Sequence, residues 1–115
     1  MPESLAVLRR VGEILSIRGD RLGKARRIAA AIRESGAYRW VGIYDVTPDE
    51  IAVLAWSGTA APAVERSKIV VPVLDPERGS VVGLLDVEGD LPDAFGVEDR
   101  SRLEECAAAL APFWT

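Results

Sequence analysis

Two apolar runs in the second half of the chain, joined by a short polar turn, constrain the fold most. Residues 67–74 and 80–87 are rich in valine and leucine, and Asp-Pro-Glu-Arg-Gly between them is typical of a turn. Runs of this length and β-branched composition are typical of buried strands. The sequence therefore predicts an antiparallel hairpin, which we expect to lie centrally in its sheet and to supply much of the core.

Helical spacing of apolar residues predicts three helices. The first covers residues 3–17 and has the apolar positions Leu5, Leu8, Val11 and Leu15. The second covers residues 21–35 and has Leu22, Ala25, Ile28, Ala29 and Ile32. The third covers residues 97–113, and its expected inward side is Leu103, Cys106, Ala107, Leu110 and Phe113.

A further hairpin is predicted between the second helix and the apolar runs. In residues 38–46, strand-forming side chains alternate between two faces, and Thr47-Pro-Asp-Glu is typical of a turn. Residues 51–56 are predicted to form the second strand of this hairpin. We expect one face of the first strand to carry Tyr38, Trp40, Gly42 and Tyr44.

These elements predict one domain over residues 1–115, since this length suits a single core. The fold class is α+β: an antiparallel sheet of about four to five strands with the N- and C-terminal helices packed on one face. The other face of such a sheet is available to water or a ligand.

Composition excludes several kinds of chemistry. Cys106 is the single cysteine and the chain has no histidine, which excludes an internal disulfide, a multi-cysteine metal site and a Ser/His triad. We therefore predict neither a metal nor a cofactor. No run approaches the ~18 apolar residues of a membrane span, and the N-terminus lacks a signal-peptide core. The expected location is the cytoplasm, with no membrane contact.

The charge is distributed unevenly along the chain. Residues 1–40 hold nine of the 14 basic residues but only four of the 18 acidic ones. A basic surface for nucleic acid is one interpretation, and solvated basic helix faces beside an acidic C-terminal helix are the other. No aromatic residues interleave the basic ones as stacking platforms would. The pattern therefore argues against nucleic acid as a partner.

Four segments resemble GAF domains, small α/β modules that bind ligands or partners in signalling proteins. They are Tyr-Arg-Trp-Val-Gly-Ile-Tyr from residue 38, Ser-Lys-Ile-Val-Val-Pro-Val from residue 67, Val-Gly-Leu-Leu-Asp-Val-Glu from residue 82, and Asp-Ala-Phe-Gly-Val-Glu-Asp from residue 93. Within GAF domains, they most resemble the free methionine-R-sulfoxide reductase branch. In that branch, a free amino acid binds against the sheet.

The resemblance implies a ligand site on this chain. Trp40 and Tyr44 match the aromatic pair that walls the pocket, and Asp86 and Glu88 match the acidic pair on the last strand. Carboxylates two residues apart on a strand point to the same face, where both could bind an ammonium group. Lys68 stands where the family has a third acid, which reverses the local charge and is expected to repel that ammonium. The alternatives are ordinary sheet packing for the aromatic pair and a solvated strand end for the acidic pair.

The same resemblance implies that the catalytic thiol is missing. By motif spacing, Ala61 takes the place of the nucleophilic cysteine, and the segment that carries the other cysteines is absent. Cys106 lies on the apolar side of its helix, where a free cysteine is usually a small buried hydrophobe. We therefore predict no catalytic residues and a shallower site.

The sequence thus favours a non-catalytic GAF-like domain for binding a small molecule or a protein, in signalling or regulation. Its candidate ligand-binding residues are Trp40, Tyr44, Lys68, Asp86 and Glu88. A homodimer through the terminal helices is expected. The alternative function is an enzyme related to free methionine-R-sulfoxide reductases, and a weaker one is nucleic-acid binding through the basic helices.

Overall fold

The computed structural model describes residues 2–36, 38–59, 67–89 and 95–114. Its elements are, in chain order, α1 (Pro2–Ser16), α2 (Arg21–Glu34), β1 (Trp40–Val46), β2 (Ile51–Gly58), β3 (Ser67–Leu74), β4 (Val81–Gly89) and α3 (Val97–Leu110), followed by a 3₁₀ turn, Ala111–Trp114. The predicted α+β class is confirmed. So is the predicted number of strands, since four form one antiparallel sheet in the described part of the chain.

The strand order is β2-β1-β4-β3. The prediction that the whole β3–β4 hairpin lies centrally is therefore wrong, because β4 is central and β3 is an edge strand. Burial follows this difference: residues of β3 alternate strictly between buried and exposed, whereas Leu85, Asp86 and Val87 of β4 are buried in succession. Apolar content alone did not distinguish the two strands, because exposed positions of β3 also carry valine, proline and leucine.

The three helices cover one face of the sheet, as predicted. Helix α2 packs on β1 and β2, α3 packs on β3 and β4, and α1 lies against α2 and α3. The predicted inward residues of α3 are buried, with Phe113 only partly buried against them.

The buried residues of helix α1 share only Val11 with the apolar stripe predicted from the sequence. Val7, Val11 and Ile14 are buried, whereas Leu5 is exposed. Leu8 and Leu15 are only partly buried against the core. Both stripes have helical spacing, so the sequence alone could not show which of them faces α2 and α3.

Tyr38 lies on the helix side of the sheet, not on the face of Trp40 as predicted. Its ring packs edge-to-face on Phe95, with 5.6 Å between ring centroids. Its hydroxyl donates to Asp99 Oδ1 at 3.3 Å and accepts from Arg102 Nη2 at 2.5 Å. Because β1 begins at Trp40, the strand alternation does not extend back to residue 38.

The end of the chain is fixed against the sheet by Trp114. The indole Nε1 donates to Asp45 Oδ1 at 2.8 Å, and the ring lies over Gly83. A Cβ at Gly83 would stand 2.3 Å from that ring and 2.8 Å from the carbonyl oxygen of Tyr44. Glycine is therefore needed at position 83 for this close approach.

We expect Gly83→Ala to lower the free energy of unfolding by about 1–3 kcal/mol, since overpacking a closed contact displaces neighbours. Gly12→Ala is the control: a Cβ there meets nothing within 4 Å, and alanine should stabilise the helix by up to about 1 kcal/mol. Urea denaturation measures both. A Gly83→Ala variant as stable as the wild type would contradict the packing of Trp114.

Candidate functional site

The face of the sheet opposite the helices, called here the outer face, brings all five predicted site residues onto one surface. Gly42 of β1 pairs with Asp86 of β4, and Trp40 pairs with Glu88. Glu88 pairs in turn with Lys68 of β3. Directly paired residues of antiparallel strands point to the same face, and residues two apart along a strand do so as well. The strand register therefore places the aromatic and acidic pairs side by side.

Trp40 and Tyr44 form an aromatic wall on this face. A Cβ at Gly42 would lie 2.2 Å from the Trp40 ring, so the indole lies across the glycine between the two aromatic positions. The Trp40 and Tyr44 ring centroids are 6.3 Å apart. Trp40 is buried and Tyr44 is partly buried. Glycine at 42 thus lets the indole lie flat along the strand toward Tyr44.

Asp86 and Glu88 are neutralised by two cations of the chain itself. Lys68 Nζ lies 3.6 Å from Asp86 Oδ2 and 4.0 Å from Glu88 Oε2. Arg39 Nη2 donates to Glu88 Oε1 at 3.2 Å, and Arg39 also donates to the carbonyl of Thr59. The described residues of the site therefore comprise two carboxylates and two cations, whose formal charges cancel.

Lys68 thus does more than the sequence indicated. It was expected to repel an ammonium ligand by reversing the local charge, and the structure places its own ammonium against both carboxylates. Its side chain is 54% exposed, so solvent screens its ion pairs. The ammonium of Lys68 takes the place beside the acidic pair that a ligand cation would need.

Asp86 is the most unusual group of the site. Its side chain is 8% exposed, and Oδ1 has no hydrogen-bond partner among the residues that the structure describes. Burial, supported by the charge of Glu88 and opposed by Lys68, raises the pKa of this carboxyl to about 6. Burial, together with the charges of Asp86 and Glu88, also raises the pKa of Tyr44. Asp86 therefore changes its protonation near neutral pH.

Two neighbours of the site were not singled out from the sequence. Arg39 precedes β1, and nothing in the strand pattern pointed to its pairing with Glu88. Trp56 of β2 is opposite Gly42 in the register and 56% exposed. A tryptophan on a predicted strand could have suggested a contact with a ligand. Its position beside the site, however, depends on the pairing of β2 with β1.

The single cysteine stands apart from this surface. Cys106 is buried in the core on α3, and burial raises the pKa of its thiol to about 11. A thiol of this kind is a poor nucleophile near neutral pH. Ala61, the position matched to the catalytic cysteine, lies outside the described residues.

Of two other kinds of feature, a metal site and a membrane-spanning helix, the described part of the chain has neither. The described residues contain no group of three or more carboxylate or thiol side chains arranged to hold a metal ion. None of the helices that the structure describes is both long and apolar enough to cross a membrane.

Comparisons with known proteins identify the fold. No family model and no curated protein matches the sequence. Among solved structures, free methionine-R-sulfoxide reductase from Neisseria meningitidis, in complex with its substrate, is 21% identical with a TM-score of 0.82, over 96% of this chain and 87% of that one. The GAF domain of a phosphoenolpyruvate-protein phosphotransferase from Coxiella burnetii is 12% identical with a TM-score of 0.78, over 98% and 93%. The corresponding Acinetobacter domain is 16% identical with a TM-score of 0.75, over 95% and 90%.

These likenesses define the class of structure: the chain has a GAF-like fold, as its sequence motifs indicated. The fold is shared both by free methionine-R-sulfoxide reductases and by GAF domains of larger proteins. At these identities, the likeness concerns the fold, so the activity of the chain has to be argued from its own residues.

The raised pKa of Asp86 makes stability depend on pH. With a folded pKa of about 6 against an ordinary value of 3.8, the folded state binds more protons than the unfolded state between these values. The contribution of Asp86 to the free energy of unfolding therefore falls as pH rises from about 4 to about 6. Asp86→Asn cannot ionise, so it should gain on the order of 2 kcal/mol relative to the wild type across this window. Urea denaturation of both proteins at several pH values measures the difference, and parallel pH profiles would contradict the assignment.

Proposed function

We propose that this chain is a non-catalytic, GAF-like domain that binds a small molecule on the outer face of its sheet. The observation that carries the proposal is the buried Oδ1 of Asp86, which has no hydrogen-bond partner in the described part of the chain and lies beside the aromatic wall. A buried acceptor without a partner destabilises a fold by about 1–3 kcal/mol. A ligand that forms a hydrogen bond with this carboxyl oxygen and covers Trp40 and Tyr44 would recover that free energy.

One of the solved structures supports the binding of a small molecule by this fold. The Neisseria reductase was solved in complex with its substrate, so a small molecule binds to a protein of this fold. The residues matched to that family, Trp40, Tyr44, Asp86 and Glu88, lie together on one face of this chain. We propose that a ligand bound there regulates or signals, as the resemblance to GAF domains implies.

Catalysis has less support than binding. The one cysteine is buried away from Asp86 and has a raised thiol pKa, and no histidine exists to act as a base. The sulfoxide reductase function, kept as the alternative, would require a thiol supplied by another protein. Nucleic-acid binding through the basic helices has no further observation in its favour.

A homodimer through the terminal helices stays a prediction. The inward stripe of α3 and the inner stripe of α1 are used within one chain. What remains on α1 is an outer stripe of Leu5, Leu8, Gly12 and Leu15, in which Leu5 is exposed and a Cβ at Gly12 would meet nothing. We propose this outer stripe, and not the helix faces as a whole, as the contact with a second copy.

Ligand binding can be tested with a panel of methionine sulfoxide, free amino acids, cyclic nucleotides, and aromatic acids and amines. A compound at about 100 times its Kd stabilises the folded state by about 2.7 kcal/mol, which raises Tm by several degrees. We expect at least one compound to do so and to shift the indole NMR signals of Trp40 and Trp56.

Asp86→Ala should abolish this stabilisation, because it removes the buried carboxyl group. Arg100→Gln should not, since among the described residues the Arg100 side chain makes one exposed pair, with Glu104 at 4.0 Å. A panel without any binder, or a binder unaffected by Asp86→Ala, would contradict the proposed function. Reduction of free methionine sulfoxide that persists in Cys106→Ser would instead support an enzyme.

A further inference from the structure

The charges around Asp86 restrict the ligand that the site can accept. The acidic pair already has two cationic partners, Lys68 and Arg39, held within 3.2–4.0 Å. An added ligand cation would be a third positive charge beside two carboxylates. It would also lie close to Lys68 Nζ, and like charges at such distances repel each other.

Lys68 also competes with a ligand cation directly. Its ammonium is attached to the edge strand β3 and lies beside both carboxylates, so its effective concentration there is high, as for any tethered group. A free ammonium ion would have to displace it. Since the Lys68 side chain is 54% exposed, the ammonium can instead turn toward a negatively charged ligand without leaving the surface.

We propose that Lys68 determines the specificity of the site, which accepts a small organic acid with an aromatic or apolar body and discriminates against organic ammonium ions. This inference rests on the proposed function. The apolar body covers Trp40 and Tyr44, the acid group pairs with Lys68, and the protonated carboxyl of Asp86 donates a hydrogen bond to the acid group. The second carboxylate, Glu88, keeps its pair with Arg39.

Binding of an acid is then coupled to proton uptake by Asp86. Among the described residues, the charged or titratable groups close to Asp86 are Lys68 on β3, Glu88 on β4 and Tyr44 on β1, and Arg39 before β1 pairs with Glu88. When Lys68 turns toward the ligand, Asp86 loses its nearest cation and gains a neighbouring anion. Both changes favour its protonated form. The ligand should therefore bind more tightly as pH falls toward the pKa of Asp86, which is about 6.

Phenylacetate and benzylamine are suitable matched probes, because they share an aromatic ring and stay ionised with opposite charge between about pH 5.5 and 7.5. Titrations monitored by the NMR signals of the Trp40 indole measure their affinities. We expect the wild type to bind phenylacetate roughly 10-fold more tightly than benzylamine, and phenylacetate roughly 10-fold more tightly at about pH 5.5 than at about 7.5.

Two variants separate the contributions. Lys68→Met should lower the affinity for phenylacetate and raise the affinity for benzylamine, so that the preference between the two is reversed. Asp86→Asn keeps a donor in place but cannot titrate, so it should bind phenylacetate without pH dependence. Arg100→Gln removes a remote cation and should leave both affinities unchanged.

A wild type that prefers benzylamine, or a preference unchanged by Lys68→Met, would overturn the role of Lys68. If the panel of the proposed function contains a binder at this site, that function stands. If neither phenylacetate nor benzylamine binds, the proposed specificity is wrong. If no compound of the panel binds either, the proposed function is wrong as well.

Discussion

The alternation of β4 fixes most of this structure. Leu85 and Val87 are fully buried against the helices, and β4 is paired on both sides. Because strand side chains alternate, burying these two residues places Asp86 and Glu88 on the outer face. A slip of one residue would turn both carboxylates into the apolar core, so the register is strongly specified. The core and the candidate site are thus set by the same strand.

The composition of the outer face follows from that placement. Two carboxylates on a central strand need compensation, and the neighbouring positions supply it: Lys68 from β3 and Arg39 from the residue before β1. The compensation is incomplete, since burial still raises the pKa of Asp86 and leaves Oδ1 without a partner among the described residues. If every carboxylate oxygen of Asp86 and Glu88 had a partner, we would interpret the group as a structural ion cluster. Here Oδ1 of Asp86 has no partner in the part of the chain that the structure describes and lies beside two aromatic rings, which is why we interpret the group as a binding site.

The elements of the fold could be predicted because apolar periodicity reports them directly. The positions of the elements were harder: valine-rich sequence suits both a central strand and an edge strand, and β3 is the edge. Likewise, α1 carries two apolar stripes with helical spacing, and only its packing on α2 and α3 selects Val7, Val11 and Ile14. The candidate site residues were predicted from motif resemblance and period-two spacing, and the strand register brings them onto one face. Their charge balance was not predicted, because Arg39 lies outside the strand pattern and the position of Lys68 Nζ depends on three-dimensional pairing.

The most direct test of the account is an NMR titration of the Asp86 side-chain carboxyl in the wild type and in Lys68→Met. We expect Asp86 to titrate near pH 6 in the wild type and its pKa to rise further when the ammonium is removed, since Lys68 stabilises the carboxylate. An Asp86 that titrates near its ordinary value of 3.8, unchanged by loss of Lys68, would contradict both the buried carboxyl and its internal cation.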